Sequence, residues 1–433
     1  MNSRNLLAPA ILLLAVCFVP SMAHAQSAAS GFGLHDGDRV TFYGDSITEQ
    51  RQYTEFVEEY VLTRYPTWKV SFHNAGVSGE NVSGGYTGPV DLRLDRDVSA
   101  WHPDVITIML GMNDFYYRPD QPGIYSTYVN GYRHIVEAMQ KSNPKVRITL
   151  IQPSPYDDVT REPAFPGGNN SVLLKYAAFV AQLAQERGTQ VTDFNTPLTA
   201  ALKSLKEHSP DLAEQLLPDR VHPQQGGHWI MAESLLKTWN APSLVTSVVI
   251  DAGAKPSAEA ANTEVTGLDR AKGKAFTRIS WTQSDKALPL PFPAAEVDPV
   301  LALVLKYSDI VAALDQETLR IQGLTAGSYD LLIDGREIGR FTAEQLTTGI
   351  NLATMKTPML EQAQLVAFDT EKVNGLESAR FEIINASATA EQSATAKALA
   401  DAYLKGVDRQ RADAQPRTHR YDLVLVNAPP VNH

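Results

Sequence analysis

The stretch Phe42-Tyr43-Gly44-Asp45-Ser46-Ile47-Thr48 lies where a predicted strand passes into a predicted helix. The apolar run from Val40 precedes it, and a segment with helical periodicity follows. A serine at such a junction projects its hydroxyl from the carboxyl edge of a sheet, and its N–H lies at a helix N-terminus, where negative charge is stabilised. Asp and Ser are also common helix caps. This stretch alone therefore leaves open whether Ser46 is a nucleophile or a cap.

The first half of the chain has the pattern of an α/β domain. Between Asp38 and Trp239, apolar strands alternate with amphipathic helical segments, which predicts a mostly parallel sheet. The predicted strands are residues 40–43, 70–73, 105–110, 146–151 and 190–193. The predicted helices are residues 54–64, 89–100, 124–141, 172–187, 197–207 and 226–239. The first four strands are apolar almost throughout, which indicates helices on both faces of the sheet.

The pattern changes after Pro242. Residues 251–266 are rich in Ala, Ser, Pro and Gly, which predicts a linker or an irregular excursion. Short strand-like runs follow at residues 276–281, 318–321, 329–333 and 337–341. Asp334-Gly335 between the last two predicts a hairpin, because a type I′ turn needs positive φ at both central residues. The predicted division is a signal peptide (1–25), a catalytic α/β domain (26–242), a linker with a β-rich accessory module (243–356) and a mostly helical segment (357–433).

The first 25 residues have the order of a secretory signal peptide. Arg4 is followed by an apolar run that is too short for a membrane span, and then by small residues ending in Ala23-His24-Ala25. Cleavage after Ala25 would leave a secreted or periplasmic protein without a membrane anchor. Cys17, the one cysteine of the sequence, lies in this segment, so the mature chain is predicted to have no disulfide.

The charge balance bears on which partners the chain can bind. The 433 residues include 38 Lys and Arg against 49 Asp and Glu, which gives a formal net charge of −11 at pH 7. An acidic chain without a basic run is poorly suited to binding phosphate backbones or anionic lipid. Nucleic acid and the membrane surface are therefore not predicted partners.

Three further stretches lie at predicted strand ends or just before a helix. A glycine in residues 74–79 would let a backbone N–H approach a reacting oxygen closely, and the amide of Asn113 could donate to the same oxygen. Both stretches also suit ordinary turns. In residues 219–222, a carboxylate three positions before His222 can accept from Nδ1, which leaves Nε2 free to take a proton from a serine hydroxyl. A solvated loop pair is the alternative for that stretch.

Taken in order, these residues resemble the sequence blocks of the SGNH, or GDSL-type, hydrolase superfamily over residues 39–239. Gly44-Asp45-Ser46-Ile47 is similar to the first block, Gly76 to the glycine of the second, residues 111–114 to the third and residues 219–222 to the last. Ile47 and Thr48 depart from the commoner Leu-Ser or Leu-Thr of the first block and leave the serine unaffected.

The resemblance implies a three-layer α/β/α domain that hydrolyses esters through an acyl-enzyme, without metal or cofactor. It implies that Ser46 is the nucleophile, that His222 is the general base and acid, and that Asp219 orients His222. An oxyanion hole would consist of the N–H groups of Ser46 and Gly76 and the side chain of Asn113. Supporting roles are implied for Asp45 and Asp114.

Substrate preference is predicted from aromatic residues. Phe115 and Tyr116 follow the third block, and Trp281 lies in a polar and aromatic segment; aromatic planes suit sugar rings, although such residues also serve packing. The predicted function is a secreted serine esterase that removes small acyl groups, O-acetyl groups on a polysaccharide above all. The alternatives are a lipase or lysophospholipase, and an inactive glycan-binding protein. The complete set of Ser46, Asn113, Asp219 and His222 favours an enzyme.

Overall fold

The computed structural model describes residues 31–271, 277–385 and 389–426. The predicted signal peptide with Cys17, and the first residue of a predicted strand at 276–281, lie outside these ranges. Within them, no helix combines the length and apolarity needed to cross a membrane.

The first part of the chain forms a five-stranded parallel sheet in the order β2-β1-β5-β6-β7. All five residues of its middle strand are buried, so helices cover both faces of the sheet. This confirms the predicted α/β fold with a mostly parallel sheet. The elements are β1 (Arg39–Gly44), α1 (Ser46–Glu49), α2 (Gln52–Arg64), β2 (Ser71–Gly76), β3 (Gly84–Gly85), β4 (Gly88–Pro89), α3 (Val90–Arg93), β5 (Val105–Met109), α4 (Pro122–Ser142), β6 (Arg147–Gln152), α5 (Gly168–Arg187), β7 (Gln190–Asp193), α6 (Asn195–His208), α7 (Pro210–Ala213) and α8 (Gln225–Thr238).

The second part contains two further sheets, of five and four strands. Their orders are β10-β11-β16-β13-β14 and β15-β12-β8-β9, and apolar side chains from both sheets share one buried cluster, so they form a sandwich. The elements are β8 (Leu244–Asp251), β9 (Ser257–Ala261), β10 (Thr263–Arg270), β11 (Arg278–Asp285), α9 (Pro299–Tyr307), α10 (Ile310–Leu314), β12 (Gln316–Gln322), β13 (Ser328–Ile333), β14 (Arg336–Thr342), α11 (Ala343–Thr348), β15 (Ile350–Asn351), α12 (Pro358–Asn385), α13 (Ala390–Asp413) and β16 (Thr418–Leu425).

The predicted hairpin is present and the predicted linker is not. β13 and β14 pair antiparallel around Asp334 and Gly335, whose φ angles are 52° and 79°. The stretch 251–266, by contrast, forms β9 and the start of β10. All five residues of β9 are exposed, and the strand is held by backbone pairing with β8. A strand without a buried face carries no apolar alternation, so its sequence looks like that of a linker.

The last strand joins two regions that are distant in sequence. β16 lies between β11 and β13 and pairs antiparallel with both. The segment from residue 357 onward therefore contributes a central strand to the sandwich as well as the helices α12 and α13.

Buried polar contacts attach helix α2 of the first part to the second part. Arg64 Nη2 donates to Asp315 Oδ1 at 2.6 Å and to the carbonyl of Leu314 at 2.7 Å, and both charged side chains are at most 2% exposed. The carboxylate of Glu58 accepts from the side-chain amide groups of Asn374 and Gln410, each at 3.0 Å. Because unpaired buried charges are costly, these contacts fix how α2 packs against the second part.

The substitution Arg64→Leu tests the buried ion pair. It leaves Asp315 buried without a cation, so we expect the free energy of unfolding in urea to fall by about 3–5 kcal/mol. The double variant Arg64→Leu/Asp315→Leu removes both charges and should recover most of the lost free energy of unfolding. Arg340→Leu, which breaks the exposed pair with Asp330, is the matched control and should leave the free energy of unfolding almost unchanged. A single Arg64→Leu variant as stable as the wild type would contradict the assigned role.

Candidate active site

Ser46 is the first residue of α1, directly after β1. Asp45 caps this helix, since its Oδ1 accepts from the N–H of Ile47 at 3.0 Å. At Gly44 a Cβ atom would lie 2.2 Å from Thr48 Oγ1, so only glycine allows the chain to turn this closely. The cap is thus Asp45, and the hydroxyl of Ser46 is free to contact another group at the carboxyl edge of the sheet.

That group is His222, in the loop before α8. Ser46 Oγ lies 2.8 Å from His222 Nε2, and His222 Nδ1 lies 2.5 Å from Asp219 Oδ2. The other carboxylate oxygen of Asp219 accepts from the N–H groups of Val221 at 3.0 Å and of His222 at 2.8 Å. The three side chains that the sequence singles out are therefore joined by consecutive hydrogen bonds.

The contacts of Asp219 keep its carboxylate ionised. Partial burial raises its pKa, but the hydrogen bonds from the backbone and ring of His222 and from the Val221 N–H outweigh this, so the pKa lies below its usual value. An ionised Asp219 accepts from Nδ1–H and leaves Nε2 as the acceptor that faces Ser46 Oγ. The arrangement can take a proton from the serine and return it to a leaving group.

These side chains border an open cleft of about 510 Å³. Seven of its eight lining residues are of polar type: the lining consists of Ser46, Glu49, Gln50, Ser78, Pro218, Asp219, His222 and Gln224. In the described residues, no group of three or more His, Cys, Asp or Glu side chains is arranged to hold a metal ion.

Gly76 is at the end of β2, beside α1, but its N–H is already engaged. It donates to Asn74 Oδ1 at 3.0 Å. A Cβ at this position would lie 2.4 Å from the backbone nitrogen of Glu49. Gly76 therefore allows β2 and α1 to pack closely, and this hydrogen bond disagrees with the prediction that its N–H serves the oxyanion hole.

Asn113 and Gly79 are placed differently. Asn113 Nδ2 donates one hydrogen to the carbonyl of Glu80 at 3.0 Å and carries a second. Gly79, between the cleft residue Ser78 and Glu80, has the left-handed φ of 74° that favours glycine. Gly79 was not predicted as a site residue. In the sequence it is only a second glycine, three residues after Gly76, and a sequence does not show which of two nearby glycines has the left-handed conformation.

A buried polar network lies under this loop. Glu80 is completely buried, accepts from the hydroxyl of Tyr43 at 2.8 Å and lies 3.4 Å from the guanidinium of Arg93. Burial raises the pKa of Glu80 and the nearby Arg93 partly opposes this. Arg93 also donates to the carbonyl of Ala75 at 2.7 Å. The network links the end of β2 to Glu80, whose carbonyl accepts the hydrogen bond from Asn113. Isolated charged residues in a sequence suggest the surface, which is why it was not predicted.

Asp45 and Asp114 are both buried beside the cleft. Asp114 Oδ1 accepts from the N–H of Val82 at 3.0 Å, so Asp114 holds the segment that follows Glu80. Burial raises the pKa of each carboxyl to about 7.

The aromatic residues predicted to contact substrate are not at the cleft. Phe115 is 2% exposed and packs against Tyr117, with ring centroids 5.2 Å apart. Trp281 is fully buried in the sandwich and stacks on Tyr421 at 5.0 Å. Tyr116 is 57% exposed and lines a separate small cavity. Phe115 and Trp281 thus serve packing, because neither has a ring face available to a ligand.

A parallel α/β sheet with Ser, His and Asp joined at its carboxyl edge is typical of hydrolases that act through a serine. A sequence model of the GDSL-like lipase/acylhydrolase family matches residues 42–230. The α/β part of the chain is similar to this family over those residues, and the protein is a carboxylic ester hydrolase.

Individual relatives extend the comparison. The chain is 26% identical over 220 residues to an acetylxylan esterase of Geobacillus stearothermophilus. The matched region makes up 46% of this chain and 93% of that protein. A crystal structure of an acetylxylan esterase from the same organism covers 48% of this chain and 96% of its own, with 26% identity and a TM-score of 0.38. The structure of a gut microbial diltiazem-metabolizing enzyme covers 91% of this chain and 98% of its own, with 24% identity and a TM-score of 0.77. The fold of that enzyme thus extends over both parts of the chain.

The substitution Gly44→Ala tests the close turn before Ser46. The added methyl group must displace Thr48 or the carbonyl of Met109, so we expect a loss of about 1–3 kcal/mol in the free energy of unfolding. Displacing Ser46 should also lower the hydrolysis rate of p-nitrophenyl acetate by more than about tenfold. Gly123→Ala, in α4 with nothing within 4 Å of the new Cβ, is the matched control and should change neither. Normal activity in Gly44→Ala would show that the turn tolerates a side chain.

Proposed function

We propose that the protein is a serine esterase that removes O-acetyl groups from carbohydrate, with Ser46, His222 and Asp219 as its catalytic residues. The observation that carries this proposal is the pair of hydrogen bonds from Ser46 Oγ through His222 to Asp219, at 2.8 and 2.5 Å. The family of the α/β part supplies the reaction class.

The proposed reaction has two halves. Ser46 Oγ attacks the ester carbonyl as His222 Nε2 takes its proton, and the tetrahedral intermediate expels the sugar hydroxyl, which receives that proton. Water then attacks the acetyl-serine, His222 takes a proton from the water and returns it to Ser46, and acetate leaves. The ionised Asp219 stabilises the imidazolium that forms in each half.

We propose that three donors stabilise the oxyanion. Two are the N–H of Ser46 at the start of α1 and the second Nδ2 hydrogen of Asn113, which the Glu80 carbonyl holds in orientation. For the third we propose the N–H of Gly79 in place of that of Gly76, because Gly76 already donates to Asn74. Each donor is worth on the order of a hundredfold in turnover.

The lining of the cleft supports a short acyl group. Glu49, Gln50, Ser78 and Gln224 surround Ser46 with polar atoms, whereas a lipase needs an apolar surface for a long acyl chain. The 26% identity to an acetylxylan esterase supports an acetylated carbohydrate as substrate. We also propose that the protein is exported, which the signal-peptide order of residues 1–25 supports.

The substitution Ser46→Ala tests the nucleophile. We expect the rate of p-nitrophenyl acetate hydrolysis by the purified protein to fall by about a thousandfold or more. Ser126→Ala, which removes an exposed hydroxyl on α4, is the matched control and should keep the wild-type rate. Equal rates for Ser46→Ala and the wild type would overturn the enzyme mechanism and favour a glycan-binding protein.

The acyl preference separates an acetylesterase from a lipase. We expect kcat/KM for p-nitrophenyl acetate to exceed that for p-nitrophenyl octanoate by about tenfold or more, because the polar cleft cannot bury a long chain. Acetate should also be released from acetylated polysaccharide, measured by an enzymatic acetate assay, and Ser46→Ala should release none. Preference for octanoate would instead favour the lipase alternative.

A further inference from the structure

A second cavity continues from the catalytic cleft towards the C-terminal helices. It has a volume of about 750 Å³ and shares Gln50 and Gln224 with the cleft at Ser46. Its far wall is α12, which contributes Ala367, Phe368, Glu371, Gly375 and Ser378. We call this cavity the α12 groove. It lies partly outside the residues that match the family, because α12 begins at Pro358.

The α12 groove is lined by planar polar side chains above an aromatic base. Helix α2 contributes Gln52, Glu55 and Glu59, and its N-cap residue Arg51 also lines the groove. The base includes Trp229, which is 1% exposed and supports the groove from below, with its ring stacked on Phe56 at 4.1 Å. On the α12 side, the ring of Phe368 is 49% exposed.

Two polar atoms of the groove residues are buried without a partner. In the described part of the chain, Gln52 Oε1 and Arg51 Nε are both buried and make no hydrogen bond. Buried polar atoms are normally hydrogen-bonded, so a groove that leaves an acceptor and a donor unsatisfied is suited to a ligand that supplies both.

We propose that the α12 groove binds the uncharged sugar units next to the acetylated one, so that a polysaccharide chain lies from Ser46 across α12. This proposal rests on the carbohydrate esterase function proposed above. Sugar hydroxyls both donate and accept, as the mixed lining of Arg, Gln and Glu side chains requires. The half-exposed ring of Phe368, which has Lys372 Nζ 4.2 Å from its centroid, offers apolar surface to a sugar ring.

The acidic groups of the groove narrow the class of glycan. Three carboxyl groups, those of Glu55, Glu59 and Glu371, line the groove against the single cation Arg51. In the described residues these three carboxyl groups form no ion pair, so a uronic acid would bring a further negative charge against them.

Gly375 offers a way to block the α12 groove without disturbing its walls. A Cβ at Gly375 meets nothing within 4 Å, so Gly375→Trp would project into open space, while Gly375→Ala is the matched control with almost no added volume. The readout is kcat/KM for chemically acetylated xylohexaose divided by kcat/KM for p-nitrophenyl acetate, measured for each protein.

We expect this ratio to fall by about tenfold in Gly375→Trp, mostly through KM, and to stay within about twofold in Gly375→Ala. In the wild type, acetylated xylohexaose should be preferred over acetylated xylobiose by about tenfold, and over an acetylated galacturonic acid hexamer by at least as much. Circular dichroism and thermal unfolding would verify that both variants fold.

The outcomes separate the two proposals. Two results would contradict sugar binding in the α12 groove and leave the proposed esterase function standing. One is a wild type that hydrolyses p-nitrophenyl acetate but shows no chain-length preference, and the other is an unchanged ratio in a folded Gly375→Trp. Preference for the acidic hexamer would also contradict the binding of uncharged sugar units in the groove. A wild type no more active than Ser46→Ala on p-nitrophenyl acetate would overturn the proposed function itself.

Discussion

The site depends on two glycines whose contacts leave no room for a Cβ atom. Gly44 ends β1 and Gly76 ends β2, and the two residues pair in the parallel register. Both touch α1, where a Cβ would lie 2.2 Å from Thr48 Oγ1 and 2.4 Å from the backbone nitrogen of Glu49. Because the two glycines are held in register on adjacent strands, these close contacts fix the first turn of α1, and with it Ser46. His222 then needs only the short loop before α8 to reach the serine.

Around this fixed point, buried charges define how the rest of the chain packs. In α2, 11 of 13 residues are buried, and among them Arg64 pairs with Asp315 while Glu58 accepts from Asn374 and Gln410. A helix with charged groups buried on several sides needs partners from distant parts of the chain. The sandwich and the helices α12 and α13 supply these partners. The C-terminal half is therefore part of the structural support of the ester hydrolase, whatever it binds.

The sequence predicted what depends on local patterns. Apolar runs located β1 and β5, and Asp334-Gly335 located the hairpin, because burial and turn geometry leave local signals. It did not predict β9, which has no buried face, nor the pairing of β16 with β13 and β11, which lie about 90 and 140 residues earlier in the chain. At the site, residue type and order singled out Ser46, Asn113, Asp219 and His222. The choice between Gly76 and Gly79, and the burial of Trp281, depend on φ angles and long-range packing that a sequence does not contain.

The short helix α1 connects the two cavities. Ser46 is its first residue, and Gln50, which follows its last, lines both the catalytic cleft and the α12 groove. Gln50 Oε1 lies 3.0 Å from His228 Nε2, and because an amide oxygen can only accept, His228 donates. Burial lowers the pKa of His228 to about 3, so the ring stays neutral and this hydrogen bond persists at neutral pH. The amide nitrogen of Gln50 is thus held in orientation, and one turn of helix positions both the hydroxyl of Ser46 and a residue that lines the α12 groove.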